Sequence, residues 1–174
     1  MAGDTRFFSI TANCYAFAVK RKTTTYGIKT ATPNGVNVAD GQTTEQYYEA
    51  LKNGVLADGG QKVKFLSQFS VQAVTSADIP TARTDWYLIA MLVNKFGFHF
   101  LRRQRKKAIG TPFWKWKEGN TGLEERDAYE MSSKKYIRVT DERFPELVKG
   151  TLVGLRGSYD KLFFFEVDQS GFNI

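Results

Sequence analysis

The segment Val63–Ala73, VKFLSQFSVQA, has the clearest strand pattern in the chain. Its alternate positions form one largely apolar face and one largely polar face, the first consisting of Val63, Phe65, Ser67, Phe69, Val71 and Ala73. Successive side chains of a strand point to opposite faces, so one face is predicted to join the core and the other to meet water. This pattern indicates an antiparallel sheet with an exposed side, or a small barrel.

The N-terminal part of the chain predicts a hairpin and a helix. Apolar and small residues alternate from Phe7 to Ala18, which predicts a strand, and Thr23–Ala31 predicts its partner. Turn residues in Thr32–Gln42 predict a loop. Thr43 and Gln46 have capping-box spacing, so a helix is expected to begin there and to end near Asn53-Gly54.

Two interpretations stay open for the apolar run Trp86–Phe96. Its spacing favours a helix, but a buried strand turning at Asn94–Gly97 fits the same residues, because periodicity does not separate these cases. Glu118–Met131 predicts a loop ending in a helical turn, and Lys134–Thr140 predicts a strand that is broken at Phe144-Pro145. Leu147–Arg156 and Tyr159–Val167 predict a last hairpin.

Together these elements predict one domain over residues 1–174 with six or seven strands. The class is α+β, a mainly antiparallel sheet or partly closed β-barrel with one or two helices. The length of 174 residues suits one domain with a real core, and 14% aromatic residues favour a sheet. The net charge of +7 favours a polyanionic partner.

The strongest functional signal is Phe98–Lys117, FHFLRRQRKKAIGTPFWKWK. Seven cations and no acidic residue lie between Arg102 and Lys117, so this segment creates a positive potential that attracts phosphates. Interleaved aromatic rings provide flat faces on which bases stack. The alternative is a solvated charged edge strand followed by tryptophans that return to the core.

Further basic residues occur near positions 20 and 134, so several clusters could combine into one positive groove or stay scattered. The predicted nucleic-acid-binding residues are Lys20, Arg21, Lys22, Arg102, Arg103, Arg105, Lys106, Lys107, Phe113, Trp114, Lys115, Trp116, Lys117, Lys134, Tyr136 and Arg138. Unpaired bases are needed for stacking, so single-stranded DNA or RNA is the favoured partner.

The function predicted from these features is non-enzymatic binding of nucleic acid. The alternative is a structural subunit of a phage or virus particle or another multisubunit assembly, because no catalytic set is assembled in the sequence. In that case the basic segment would contact an anionic protein surface or a packaged genome, in a homo- or hetero-oligomer. A third hypothesis, a small ribonuclease using the single histidine, His99, has the weakest support.

Other chemistries find little in the sequence. Nucleotide-cradling glycine motifs are absent, so no cofactor is expected. Glu166 and Asp168 could face one metal ion together with acidic residues of Glu118–Met131, but a solvated acidic loop is preferred and no metal is expected. Cys14, the single cysteine, is interpreted as a core residue. The segment MAGDTRFF is unlike a signal peptide and no apolar run spans a bilayer, so a cytoplasmic or virion location without membrane contact is expected.

Overall fold

Antiparallel strand pairing dominates the architecture. The computed structural model describes residues 13–20, 33, 42–104, 111–118 and 124–172. Within these ranges the α-helices are α1 Cys14–Ala18, α2 Thr44–Gly59 and α3 Phe144–Lys149. The strands are β1 Val63–Ser70, β2 Trp86–Asn94, β3 Gly97–Gln104, β4 Phe113–Lys117, β5 Glu124–Glu125, β6 Asp127–Glu130, β7 Lys135–Arg138, β8 Leu152–Val153 and β9 Lys161–Asp168.

The strands form two sheets. The large sheet has the order β1-β9-β2-β3-β4-β5, and the small sheet has the order β7-β6-β8. Every pair of neighbouring strands is antiparallel. The predicted α+β class with a mainly antiparallel sheet is therefore confirmed, and the large sheet is open rather than closed into a barrel.

Hydrophobic cores cover both faces of the large sheet. On one face, α1 and α2 pack against alternate residues of β2, β3 and β9, including Tyr15, Tyr48, Leu51, Ile89, Phe100, Phe163 and Phe165. On the other face, the small sheet and α3 pack against the intervening positions, including Leu88, Leu101, Trp114, Trp116, Phe144, Leu147 and Phe164. The result is a three-layer arrangement with β2 and β9 buried on both faces.

Strand β1 departs from the single core face that its alternation predicts. Its register with β9 shifts between Phe65 and Ser67. Val63 and Phe65 therefore pack into the core beneath α2, whereas Phe69 packs into the core beneath the small sheet. An irregularity of one residue moves the following side chains to the opposite face of a sheet.

The helix predicted from Thr43 is confirmed as α2. The Thr43 side chain accepts from the Gln46 backbone N–H at 3.1 Å, and the Gln46 side chain accepts from the Thr43 N–H at 2.9 Å. Its predicted end at Asn53-Gly54 is wrong, because the helix continues to Gly59 and is capped by Gly60 at φ 54°. A glycine at that cap suits the left-handed conformation.

The first predicted strand is wrong over its last five residues, which form α1. Asn13 caps this helix by accepting from the Ala16 N–H at 2.9 Å, and every residue of Cys14–Ala18 is buried. Alanine favours helix over strand, so the small side chains of this segment suit α1. Burial raises the pKa of Cys14 to about 12, in keeping with its interpretation as a core residue. Residues 1–12 and the predicted strand Thr23–Ala31 lie outside the described ranges, as does most of the Thr32–Gln42 loop.

The helix favoured for Trp86–Phe96 is also wrong, and the alternative of a buried strand is correct. Strand β2 ends at Asn94, whose side-chain oxygen accepts from the N–H groups of Phe96 at 2.8 Å and Gly97 at 3.0 Å. This turn leads directly into β3. A strand buried on both faces needs apolar side chains at every position, so it lacks the two-residue alternation of a half-exposed strand.

Three further predictions concern the C-terminal half. The strand predicted for Lys134–Thr140 is confirmed as β7. The helical turn expected near the end of Glu118–Met131 is wrong, because β6 occupies that position. The last hairpin is wrong as well, because β8 pairs with β6 while β9 pairs with β1 and β2. Between β7 and β8, Pro145 lies in the first turn of α3, where a missing N–H costs no helical hydrogen bond.

None of the helices in the described ranges is long and apolar enough to cross a bilayer.

Candidate nucleic-acid interface

The described residues of the basic-aromatic segment, Phe98–Lys117, are divided between β3 and β4. These strands pair so that Leu101 lies opposite Trp116 and Arg103 opposite Trp114. Strand alternation sends its side chains to two different faces of the large sheet. The segment therefore does not form one continuous surface. Arg105, Lys106 and Lys107 lie outside the described residues.

The two tryptophans of this segment are core residues. Both indoles are fully buried, and Trp114 packs against Phe144 with ring centroids 4.5 Å apart. The Trp114 N–H donates to Asp141 at 2.9 Å, and the Trp116 N–H donates to the Gly154 carbonyl at 3.1 Å. The prediction that these rings stack on bases is therefore wrong, because their positions on β4 point into the core beneath the small sheet.

The alternate cations of the segment face α1 instead. Arg102 donates from Nη1 to the Phe17 carbonyl at 2.9 Å, with its guanidinium 4.3 Å from the centre of the Phe17 ring. Lys115 forms an ion pair with Glu124 at 3.3 Å, and Lys117 is fully buried. Burial lowers the pKa of all three cations. The sequence predicts phosphate contacts for Lys115 and Lys117, and their burial contradicts this.

Arg103 lies on the face toward the small sheet, where it binds Asp141. Its Nε donates to Oδ1 at 3.0 Å and its Nη2 donates to Oδ2 at 2.6 Å. A two-point contact fixes the plane of a guanidinium group. Three-quarters of the Arg103 side chain is covered, which leaves one edge near solvent.

His99 is buried beneath Tyr159. The two rings are nearly parallel with centroids 6.2 Å apart, and His99 Nε2 lies 3.8 Å from Glu118 Oε1. Burial lowers the pKa of His99 to about 4 and raises the pKa of Glu118. Neutral and enclosed, the imidazole is inaccessible to a nucleic-acid strand.

Aromatic residues reach solvent on the small sheet. We define its outer face as Asp127, Tyr129, Tyr136, Arg138 and Val153, the side chains that alternate with the buried Ala128 and Leu152. Tyr129 lies opposite both Tyr136 and Val153, so the three form one row across the sheet. The two tyrosine rings meet edge to face at 5.2 Å.

Two members of this row extend well into solvent. Tyr136 is 76% exposed and Val153 is 55% exposed, whereas Tyr129 is partly covered. A tyrosine ring that stands in solvent beside a second ring provides a surface on which a planar group can stack.

The basic end of the outer face is Arg138. Its guanidinium lies 4.6 Å from the centre of the Phe113 ring, and its Nε donates to Asp127 at 2.9 Å. Lys134 is exposed in the turn before β7. Four predicted site residues, Phe113, Lys134, Tyr136 and Arg138, thus belong to this one region, although they come from two segments of the sequence.

The N-terminal cluster lies elsewhere. Lys20 donates to the Gln169 carbonyl at 2.8 Å and lies 4.6 Å from the centre of the Tyr87 ring. Arg21 and Lys22 lie outside the described residues. Tyr87 points toward α1, the opposite side of the large sheet from the small sheet, so Lys20 does not join the outer face.

The acidic residues do not converge on a cation. Glu166 binds Arg83, whereas Asp168 accepts from the N–H and the hydroxyl of Ser170 at 2.9 and 2.6 Å. No group of three or more His, Cys, Asp or Glu side chains is suited to hold a metal ion in the part of the chain that the structure describes.

Sequence reasoning missed Tyr129 and Val153. Tyr129 falls in a segment for which a loop and a helical turn are predicted, and Val153 falls in a different predicted hairpin. The alternation Asp127-Ala128-Tyr129-Glu130 is the signal for a short strand, but its four residues are few for a periodic pattern. Comparisons of the chain with protein-family models, with curated proteins and with solved structures find no match.

Proposed function

We propose that this protein binds single-stranded nucleic acid without catalysis, through the outer face of the small sheet. The observation that carries the proposal is the cross-strand pair of Tyr129 and the solvent-exposed Tyr136. Stacking of a base on an aromatic side chain is tolerant of sequence, because every base has a flat face. A duplex keeps its bases stacked on one another, so unpaired strands fit better.

Cations lie beside the tyrosines. Arg138 is exposed on the outer face two residues from Tyr136, and Lys134 is exposed in the turn before β7. Arg138 is held by Asp127 and rests against Phe113, so its orientation is restricted before any ligand arrives. A strand that crosses the outer face would therefore meet rings for its bases and positive charge for its phosphates.

Binding is best measured by fluorescence anisotropy with labelled single-stranded oligonucleotides over a series of salt concentrations. Counterion release predicts a linear fall of the logarithm of the affinity with the logarithm of the salt concentration, with a slope of about −0.7 for each phosphate contacted on a single strand. Absence of binding at low salt, or an affinity that does not change with salt concentration, would contradict the proposal.

A pair of variants locates the binding surface. Tyr136→Ala removes the exposed ring and is expected to weaken binding by roughly tenfold, since each stacked base contributes about 1–3 kcal/mol. Phe96→Ala is the matched control, because Phe96 is 80% exposed but lies at the turn between β2 and β3. If the two variants bind the oligonucleotide with equal affinity, the outer face is not the binding surface.

A structural role in a larger assembly is the second candidate, and the apolar part of the outer face favours it. Val153 belongs to the same row as the tyrosines, and Met131, 65% exposed, follows β6 directly. Exposed apolar side chains that cluster together are typical of protein contacts. Light scattering separates the two candidates. A molar mass that rises with protein concentration in the wild type, but not in Val153→Lys, would favour assembly over nucleic-acid binding.

A further inference from the structure

A cavity of about 160 Å³ lies where β2 begins, on the side of the large sheet that faces the small sheet. Two arginines, Arg83 and Arg103, line it together with Trp86 and the hydroxyl-bearing residues Thr81 and Thr84. Pockets for whole drug-sized ligands measure roughly 300–1,000 Å³. This cavity is therefore suited to one functional group of a ligand rather than to a large molecule.

Arg83 is held in place by three contacts. Its Nε donates to Glu166 Oε1 at 2.6 Å, and its backbone N–H donates to Glu166 Oε2 at 3.0 Å. The guanidinium also lies 3.9 Å from the centre of the Trp86 ring. This arrangement stacks a cation on an indole at the cavity, and their prior ordering lowers the entropy cost of binding a ligand.

Arg103 is held by Asp141, whose two oxygens each accept from one guanidinium nitrogen, whereas Nε and Nη2 of Arg83 both contact Oε1 of Glu166. Both pairings use Nε and Nη2 of the guanidinium. A guanidinium has five N–H donors, so both N–H bonds of Nη1 and the second N–H bond of Nη2 are left for other partners on each arginine. Arginines fixed in this manner are suited to the planar, two-point recognition of phosphate oxygens.

The positive groups around this site outnumber the carboxylates that pair with them, because Lys64 adds a third cation to Arg83 and Arg103 against Glu166 and Asp141. Asp141 also accepts from the Trp114 N–H, and Glu166 also accepts from the Arg83 backbone N–H. Lys64 lies opposite Glu166 on the neighbouring strand. Although burial acts to raise it, the pKa of Glu166 is lowered by the hydrogen bonds from Arg83 and by the positive charges of Arg83 and Lys64.

We propose that this cavity binds a phosphate group, with oxygens that accept from both Arg83 and Arg103 and with the remainder of the ligand against Trp86. The phosphate belongs either to a free nucleotide or to a nucleic-acid strand, and only the second source rests on the proposed function. The cavity and the outer face are linked through contacts: Arg103 binds Asp141, Asp141 accepts from Trp114, and the neighbouring Phe113 packs against Arg138.

The test uses the full chain titrated with inorganic phosphate, with adenosine 5′-monophosphate, and with a short oligonucleotide with or without a 5′-phosphate. The Nε–H signals of Arg83 and Arg103 in nuclear magnetic resonance spectra report binding directly. Trp86 is the one partly exposed tryptophan among the three in the sequence, so its fluorescence provides a second readout. Saturable shifts of both arginine signals support the proposal, and unshifted signals at millimolar phosphate overturn it.

Variants at the mouth of the cavity avoid breaking the buried ion pair of Glu166. Thr81 is exposed, so Thr81→Glu places a carboxylate beside the arginines, whereas Thr81→Gln is its neutral control of similar shape. We expect Thr81→Glu to weaken phosphate binding at least tenfold and Thr81→Gln to leave it within twofold. Equal weakening in both variants would overturn the role of charge in this site.

The two sources of phosphate and the two proposals are separated by the same experiment. Competition between the oligonucleotide and adenosine 5′-monophosphate for the arginine signals supports a strand as the source, and shifts with the mononucleotide alone support a free nucleotide. Tyr136→Ala is expected to weaken oligonucleotide binding while phosphate binding is unchanged. The outer-face proposal therefore fails if Tyr136→Ala leaves oligonucleotide binding unchanged. The phosphate-cavity proposal fails if the arginine signals do not shift.

Discussion

Arg103 and Asp141 join β3 to the turn after β7 through two parallel contacts, Nε to Oδ1 at 3.0 Å and Nη2 to Oδ2 at 2.6 Å. The Trp114 N–H reaches the same carboxylate at 2.9 Å. One acidic side chain thus holds an arginine of the large sheet, an indole of the core and the turn that leaves the small sheet. This carboxylate connects the cavity at the start of β2 with the region of the outer face.

Asp141→Asn should destabilise the fold. The change removes the charge and one acceptor from a set of contacts that is mostly covered, so a loss of about 1–3 kcal/mol in the free energy of unfolding is expected. Urea denaturation measures it. Asp127→Asn is the control, since its ion pair with Arg138 is more than two-fifths exposed on both sides and should matter by less than about 1 kcal/mol. Equal effects of the two substitutions would show that Asp141 has no special role.

Gly54→Ala should destabilise the protein, although alanine is the better helix former by about 1 kcal/mol. A Cβ atom at this position would lie 2.5 Å from the Pro33 carbonyl oxygen and 2.8 Å from its carbon. Backbone atoms yield less readily than a flexible side chain, so the clash is expected to outweigh propensity and to cost about 1–3 kcal/mol. Gly97→Ala serves as the control, because a Cβ atom at Gly97 would have no heavy atom within 4 Å beyond its own chain neighbours. A rise in melting temperature for Gly54→Ala would contradict this packing.

Thr43→Ala should weaken the start of α2. The hydroxyl of Thr43 accepts from the Gln46 N–H at 3.1 Å, and loss of such a cap costs about 1 kcal/mol. Thr44→Ala, one residue further on, changes an exposed first-turn residue that does not make the cap. Thermal unfolding of the two variants should therefore differ, and identical curves would argue against the capping box.

His99 should make the folded state less stable in acid. Its folded pKa of about 4 lies below the ordinary value of 6.5 because the ring is buried, so the unfolded chain binds a proton that the folded chain does not. Stability is then lost as pH falls from 6.5 to about 4, by on the order of 3 kcal/mol. Glu118, whose pKa is raised by burial, acts in the opposite direction and offsets part of this loss.

Urea unfolding of wild type and His99→Gln at several pH values tests this linkage. His99 is the only histidine in the chain. Between pH 6.5 and about 4, the free energy of unfolding of the variant should therefore change less with pH than that of the wild type, whatever its stability at neutral pH. Parallel curves for the two proteins would mean that His99 titrates in the folded state as it does when unfolded.

Local signals in the sequence predicted α2 and β7 correctly. The capping pair of Thr43 and Gln46 and the face formed by Tyr47, Leu51 and Val55 depend on neighbours within one or two helical turns. The strand at Lys135–Arg138 was recognisable in the same way, because Ile137 faces the core while Tyr136 and Arg138 do not. The class of fold followed from such segments.

The outcome for the basic-aromatic segment shows why the site was harder to predict than the fold class. Both faces of the large sheet are covered, so a residue on β4 is buried or exposed according to the layers above and below it, not according to its own polarity. Trp114 and Trp116 joined one core, while Lys115 and Lys117 were covered on the side of α1. Strand alternation predicts that the tryptophans and the lysines of β4 face opposite sides of the sheet. It does not predict that both sides are covered by other parts of the protein.

Composition and short-range pattern by themselves determined an antiparallel α+β protein, the start of its longest helix, and an excess of positive charge. Tertiary structure alone decided that Trp86–Asn94 is a strand, that β9 inserts between β1 and β2, and that Tyr129 meets Tyr136 in solvent. The physical reason is that helix caps and turns are made by residues close in sequence. Strand order, burial on both faces and the placement of Arg83 and Arg103 at one cavity depend on contacts between segments far apart in the chain.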